Sequence, residues 1–110
     1  MKITVDYIDI LDDCFNDTTL FDFIFLTELD DEVIRALDAL GDLEYYDKFP
    51  KPFFKLQKDH YYSIKGIRGE KSMRISLFPE NKFEALRILT EYFKIDKDKI
   101  PALKQDTGNV

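Results

Sequence analysis

The sequence predicts one α+β domain. Its expected form is a mainly antiparallel sheet of four to five strands with two helices on one face, as in a ferredoxin-like sandwich or a variant of it. The chain has 110 residues, a common length for one domain. Several short segments alternate apolar and polar residues, and two longer ones repeat with helical spacing. Ten Phe and six Tyr supply enough apolar surface for a core without metal or disulfide support.

Two strands are predicted near the N-terminus. From Met1 to Ile10 apolar and polar residues alternate. The early apolar positions, Ile3 and Val5, are odd-numbered, whereas the later ones, Ile8 and Ile10, are even-numbered. Leu20 to Leu26 has apolar residues on both faces, with Asp22 the one polar position. A strand that is apolar on both faces is typical of the middle of a sheet. We therefore expect it to be covered on both sides or to lie at a dimer interface.

The first helix is predicted from Glu28 to Leu40. Thr27 is the expected N-cap, because its hydroxyl can accept a bond from a free backbone N–H of the first turn. Acidic residues fill that first turn, where the helix dipole favours negative charge. Gly41 follows the last apolar position and is the expected stop.

The second half is predicted to hold further strands and a second helix. The segments are a strand Leu43–Tyr46, a strand Phe53–Leu56, hairpin arms His60–Ile67 and Ser72–Phe78, and a helix from Pro79 to about Lys94. Gly66 and Gly69 are the expected hairpin-turn residues. Pro50 and Pro52 lack an N–H, so the segment around them is expected to be an extended edge segment or a kink. Residues 1–95 form the predicted domain, and 96–110 a loosely ordered tail.

Charge is distributed unevenly along the chain. Residues 1–47 carry two cations and fourteen acids, a net charge of −12. Residues 48–82 carry nine cations and three acids, a net charge of +6, and residues 83–110 are balanced. The two charged regions either neutralise each other across the folded surface or take part in association.

An acidic surface would point to a protein-interaction module, of the inhibitor type or self-associating. Its partner would be a basic protein or the basic hairpin of a second copy, which makes a homodimer one possibility. The candidate binding residues are Asp30, Asp31, Asp38, Asp42, Glu44 and Asp47. This is the leading functional hypothesis, and it is non-enzymatic.

The basic hairpin offers an alternative, a small-ligand or anion-binding regulatory domain. Its candidate binding residues are Lys65, Arg68, Lys71 and Arg74. The aromatic and basic stretch from Lys48 to Arg74 could also hold nucleic acid, but a sequence pI near 4.7 opposes that partner. An enzyme using His60, with Cys14 or a carboxylate, is a further alternative, although no catalytic motif surrounds it.

Several classes of protein are not expected. The single cysteine, Cys14, cannot form an internal disulfide. The chain shows neither a signal-peptide pattern nor an apolar run long enough for a membrane span, so the expected location is the cytoplasm. Asp9, Asp12, Asp13 and Asp17 lack the spacing of an EF-hand loop, and no metal or cofactor is predicted.

Overall fold

The computed structural model describes residues 3–13 and 19–96, which form one antiparallel sheet of six strands and two helices. In chain order the elements are β1 Val5–Asp13, β2 Thr19–Phe25, α1 Asp31–Ala36, β3 Asp42–Tyr46, β4 Phe53–Lys58, β5 Tyr62–Ile67, β6 Ser72–Leu77 and α2 Lys82–Phe93. Short 3₁₀ turns at Leu37–Leu40 and Pro79–Asn81 extend α1 and precede α2. The predicted α+β class is confirmed, with one or two more strands than expected.

The strands lie in the order β1-β2-β6-β5-β4-β3, and every neighbouring pair is antiparallel. Strands β3 to β6 form a meander of consecutive neighbours, and β6 then pairs with β2. The chain order is therefore ββαββββα. The ferredoxin-like order βαββαβ is not confirmed.

The first of two register shifts in β1 explains the change of apolar parity in the first segment. One lies between Val5 and Tyr7, the other between Ile10 and Asp12. An extra residue at a bulge lets two apolar positions of different parity point the same way. Val5 therefore pairs with Phe25 and Ile8 with Phe23, all on one face of the sheet.

One face of the sheet packs against both helices and forms the core. On β2 the rings of Phe21, Phe23 and Phe25 are buried on this face. Phe93 of α2 meets Phe23 edge-on, with the ring centroids 5.5 Å apart. This edge-to-face arrangement is one that aromatic pairs prefer. The other buried apolar residues are Ile3, Val5, Leu29, Ile34, Leu37, Leu40, Phe54, Leu56, Tyr62, Ile64, Met73, Ile75, Leu77, Ala85, Leu86 and Leu89.

Helix α1 begins later than predicted because the hairpin turn holds the chain before it. The Leu29 N–H donates to the Glu70 carbonyl, and the Leu29 carbonyl accepts from the Gly69 N–H, both at 2.8 Å. Asp30 then becomes the N-cap in place of Thr27, its Oδ1 accepting from the Val33 N–H at 2.8 Å. The helix proper covers six residues before it tightens into the 3₁₀ turn, whose C-cap is Gly41 as predicted.

The glycines of the predicted hairpin have different places. Gly69 lies in the turn with φ +94°, a conformation that favours glycine. Gly66 lies within β5 instead, and a Cβ there would come within 2.7 Å of the Phe54 ring. Its lack of a side chain leaves room for that buried ring.

Two tyrosine hydroxyls help to fix the helices. The Tyr62 hydroxyl, from the sheet, donates to the Leu40 carbonyl at 2.5 Å. The Tyr92 hydroxyl, from α2, donates to the Ala36 carbonyl at 2.8 Å. Helix α2 ends at Phe93, close to the predicted end near Lys94, and Lys94 is its left-handed C-cap with φ 55°. The predicted tail, apart from Asp96, lies outside the described residues.

Neither helix in the described part of the chain combines the length and the apolar character needed to cross a membrane.

Candidate functional site

The second face of the sheet carries the candidate site. Successive side chains of a strand point to opposite faces, so the residues between the core positions belong to this face. On β2 these are Leu20, Asp22 and Ile24, all half-buried. The expected cover on both sides of β2 is not found, because no described helix packs on this face. We call it the open face.

A row of charged residues crosses all six strands of the open face. Each member lies directly opposite the next in the strand register. From the β1 edge to the β3 edge the row consists of Asp9, Asp22, Arg74, Lys65, Lys55 and Glu44. We call this set the charged row. Its three cations are consecutive and occupy the centre of the sheet.

The three central cations lie on adjacent strands, which gives the site its electrostatic character. Neighbouring strands are about 4.8 Å apart, so Arg74, Lys65 and Lys55 start from backbone positions that span about 10 Å. Like charges directly opposite each other on a sheet repel and destabilise it. The centre of the row therefore has an unfavourable self-interaction that a bound anion would relieve.

One cation of the row is bound by a carboxylate. Arg74 donates from Nε to Asp22 Oδ1 at 2.9 Å and from Nη2 to Asp22 Oδ2 at 3.3 Å. The Asp22 carboxylate raises the pKa of Arg74, mainly through this hydrogen bonding. The pair joins β2 to β6 and fixes the guanidinium at one end of the positive stretch.

The other two cations make no ion pair with any described residue. Lys65 lies opposite Lys55 on one side and Arg74 on the other. The Lys55 ammonium lies 6.0 Å from the centre of the Tyr46 ring. Glu44, opposite Lys55, accepts a hydrogen bond from the Tyr46 hydroxyl at 3.0 Å instead. Both ammonium groups are therefore available to a ligand.

Two depressions flank the charged row, and all three cations line both of them. The first, of about 600 Å³, also includes Phe53 and Ile67 and is the more apolar. The second, of about 510 Å³, also includes the hydroxyl residues Ser63 and Ser76 and the acidic residues Asp42, Glu44 and Asp59. A ligand centred on the cations would therefore meet an aromatic wall on one side and both hydroxyl and carboxylate groups on the other.

An aromatic cluster forms part of the first wall. Tyr46 and Phe53 are cross-strand neighbours whose rings stack with centroids 4.7 Å apart and planes 21° apart. Phe49, from the loop after β3, lies 5.5 Å from Phe53 and is 53% exposed. The cluster places apolar rings at the end of the open face, beside Lys55.

Two of the four predicted hairpin cations come together. Lys65 and Arg74 are cross-strand partners in the charged row. Arg68 lies elsewhere, in the turn, and its charge acts on Tyr45 and Asp31. Lys71 is exposed before β6, outside the row. Lys55 was not among the predicted site residues, although alternation along Phe53–Leu56 places it on the face opposite the buried Phe54 and Leu56.

The six predicted acidic residues do not share one side. Asp30 caps α1, while Asp31 and Asp47 both bind Arg35 at 2.9 Å. The hydrogen bond from Arg35 lowers the pKa of Asp31. Asp42 and Glu44 are on the open face of β3 instead, and Asp38 is exposed in the 3₁₀ turn. The predicted continuous acidic surface is therefore divided between two sides of the molecule.

His60 has a structural setting at the β4–β5 turn. Its backbone is left-handed, with φ 69°, and its carbonyl accepts from Asn81 Nδ2 at 2.9 Å. The ring is exposed, and Nδ1 lies 3.1 Å from a Glu80 carboxylate oxygen. It lines neither of the two depressions. The proposed partner Cys14 lies outside the described residues.

Within residues 3–13 and 19–96, no group of three or more His, Cys, Asp or Glu side chains is arranged to hold a metal ion. Of the four aspartates considered as a cation site, Asp9, Asp12 and Asp13 belong to β1, and Asp17 lies outside the described residues. Comparison with protein-family models, curated proteins and solved structures found no match to this chain. Its geometry is therefore the basis for assigning a function.

Proposed function

We propose that the protein binds a compact anionic ligand, one bearing phosphate or carboxylate groups, on its open face. Lys55, Lys65 and Arg74 are the binding groups. The observation that carries the proposal is that these three cations lie on adjacent strands while two of them lack an ion pair among the described residues. Arg74 offers a fixed guanidinium, and the two lysines offer mobile ammonium groups that can close on an anion.

The charges around the row favour a small anion over a polymer. Asp9 and Asp22 flank the cations on one side and Glu44 on the other. The positive stretch is thus about 10 Å across three strands and ends in negative charge. A single phosphate or diphosphate fits within it, whereas a nucleic-acid strand would pass over the acidic flanks. The net charge of −6 acts in the same direction.

Charge-removing variants test the proposal. Lys55→Gln and Lys65→Gln each remove one cation of the row, while Lys71→Gln removes the same charge from the same hairpin outside it. We expect each row variant to weaken inorganic phosphate or pyrophosphate binding about tenfold, the usual range for a charged hydrogen bond. Lys71→Gln should keep nearly full affinity. Backbone amide NMR shifts during titration measure affinity and locate the site.

Stability without ligand gives a second readout. Because Lys65 lies between two cations, Lys65→Gln should leave the melting temperature unchanged or raise it. The added stability that pyrophosphate gives to the folded state should shrink in the same variant. If pyrophosphate shifts no resonance of β4, β5 or β6, or if Lys71→Gln weakens binding as much as Lys65→Gln, the proposal is wrong.

A protein-interaction module remains the second candidate. What supports it is the acidity of residues 28–47, which hold eight carboxylates and one cation. Three of these carboxylates already bind the Val33 N–H or Arg35 within the molecule. A basic partner would show salt-sensitive association that Lys65→Gln does not weaken, whereas anion binding would become about tenfold weaker in that variant. A cytoplasmic location stays a prediction.

A further inference from the structure

The first depression joins an apolar wall to the cations of the charged row. Phe53 and Lys55 are two residues apart on β4, so their side chains leave the same face about 7 Å apart. Ile67, the cross-strand partner of Phe53 on β5, is 37% exposed and continues the wall. One ligand can therefore touch both the ring and the ammonium groups.

Part of the Phe53 ring is not covered by the neighbouring aromatic rings and can contact a ligand. Its centroid is 4.7 Å from that of Tyr46 and 5.5 Å from that of Phe49, and these two are 6.1 Å from each other. The three rings thus form a triangle, and Phe53 is not sandwiched between the other two. The part of Phe53 that lines the depression faces the same space as Lys65 and Arg74.

We infer that the anion bound on the open face carries a planar ring, and that a nucleoside monophosphate matches the site. The inference rests on the proposed function. The phosphate binds Lys55, Lys65 and Arg74, and the base packs against Phe53 and Ile67. The sugar spans the roughly 7 Å between the two groups of contacts. Base–aromatic stacking is a strong and sequence-tolerant source of affinity.

The remaining charged groups of this depression bear on the type of base. Besides the row cations, the depression is lined by Lys51, Glu70 and Asp22. Asp22 is bound to Arg74, whereas Glu70 makes no ion pair with a described residue. A carboxylate that lines the same depression as Phe53 can accept a hydrogen bond from an exocyclic amino group. An amino-bearing base such as adenine therefore matches this wall best.

The test compares AMP with ribose 5-phosphate, which keeps the sugar and phosphate and lacks the base. We expect AMP to bind the wild-type protein about tenfold more tightly by calorimetric titration. Phe53→Leu keeps an apolar side chain and should abolish this difference. Phe83→Leu, which changes an exposed aromatic residue on α2, is the matched control and should leave the difference intact.

A measurement on the wild-type protein covers the case in which Phe53→Leu fails to fold. Nuclear Overhauser contacts from adenine H2 or H8 to the Phe53 ring and the Ile67 methyl groups are expected in the AMP complex. If these contacts are absent, or if AMP and ribose 5-phosphate bind equally, the ring inference is wrong and anion binding stands.

The outcomes that would remove the proposed function are different. If neither AMP, ribose 5-phosphate nor pyrophosphate perturbs the charged row, anion binding itself fails and the ring inference fails with it. A twelve-nucleotide single-stranded DNA that binds more tightly than AMP would assign the face to nucleic acid and overturn the compact ligand. Competition between AMP and pyrophosphate is expected, since both occupy the same cations.

Discussion

At the scale of single residues, Tyr62 links the sheet to the end of the first helical segment and makes stability depend on pH. Its side chain is fully buried, and burial raises the pKa of Tyr62 to about 12. The folded state holds the phenol proton more tightly than the unfolded state, where the pKa is near 10. This contribution to stability is complete below pH 10 and is lost as pH rises to about 12.

The variant Tyr62→Phe isolates this effect. We expect the free energy of unfolding of the wild-type protein to fall faster above pH 10 than that of the variant, by at most about 1.4 kcal/mol per pH unit. At neutral pH the variant should be less stable by about 1 kcal/mol, because the Leu40 carbonyl loses its donor. Urea unfolding at pH 7 to 11.5 measures both differences. Tyr7→Phe removes an exposed hydroxyl and should show neither difference from the wild-type protein. If the free energy of unfolding falls equally fast with pH in all three proteins, the pH dependence does not come from Tyr62.

The sequence correctly predicts the face on which a side chain lies where the residue belongs to one regular strand. Alternation along the hairpin arms predicts that Lys65 and Arg74 leave the face opposite the buried positions, and the structure pairs them. It failed for Arg68, because a turn residue has no strand parity to orient it. It also failed at Thr27, because the bonds that hold Leu29 come from the distant hairpin turn.

At the scale of elements, the contact between β2 and β6 bears on the proposed binding of an anion by the charged row. The Asp22 carboxylate of β2 forms an ion pair with the Arg74 guanidinium, and the Asp22 side chain is only 16% exposed. Asp22→Asn keeps the size of the side chain and removes the competing charge. We therefore expect it to bind pyrophosphate several-fold more tightly, about fivefold at low salt, with less effect as salt is raised.

The neighbouring acid of the row is the control for this prediction. Asp9 lies opposite Asp22 on β1, one strand farther from Arg74. Asp9→Asn should therefore raise affinity less than Asp22→Asn does. Weaker pyrophosphate binding by a folded Asp22→Asn protein would show that the carboxylate positions Arg74 for the ligand and does not compete with it. Calorimetric titrations at two salt concentrations distinguish these results.

Most individual elements were predictable, whereas their arrangement in the sheet was not. The hairpin, the second helix and the β2 segment follow from periodicity and from proline and glycine positions, which are local properties. The β2–β6 pairing joins residues as far apart as Asp22 and Arg74, and no local pattern encodes it. The full charged row depends on that pairing, so sequence alone could reveal only part of it.

At the scale of the whole molecule, the strand order explains what becomes of the uneven charge along the chain. Strands β1, β2 and β3 come from the acidic residues 1–47, and β4, β5 and β6 come from the basic residues 48–82. The order β1-β2-β6-β5-β4-β3 places the three basic-region strands together at the centre and the acidic-region strands at both edges. A segregation along the sequence thus becomes a positive stripe between negative borders.

This arrangement also bears on self-association, because both edges of the sheet are acidic. The β1 edge carries Asp6 and Asp9 and is distorted by two bulges, and the short β3 edge carries Asp42 and Glu44. Bulges and charged side chains are features that prevent strands of separate molecules from pairing. Two copies approaching edge to edge would therefore bring like charges together.

We expect the protein to be a monomer of 13.0 kDa by light scattering at both low and high salt. A dimer at low salt that dissociates at high salt would contradict this, because it would mean that the basic stripe of one copy binds the acidic border of another. Adding pyrophosphate then separates the two uses of the cations. If the dimer dissociates on addition of pyrophosphate, Lys55, Lys65 and Arg74 form its interface, and association and anion binding compete for one surface. If the mass stays that of one chain throughout, the open face is accessible to a ligand in solution.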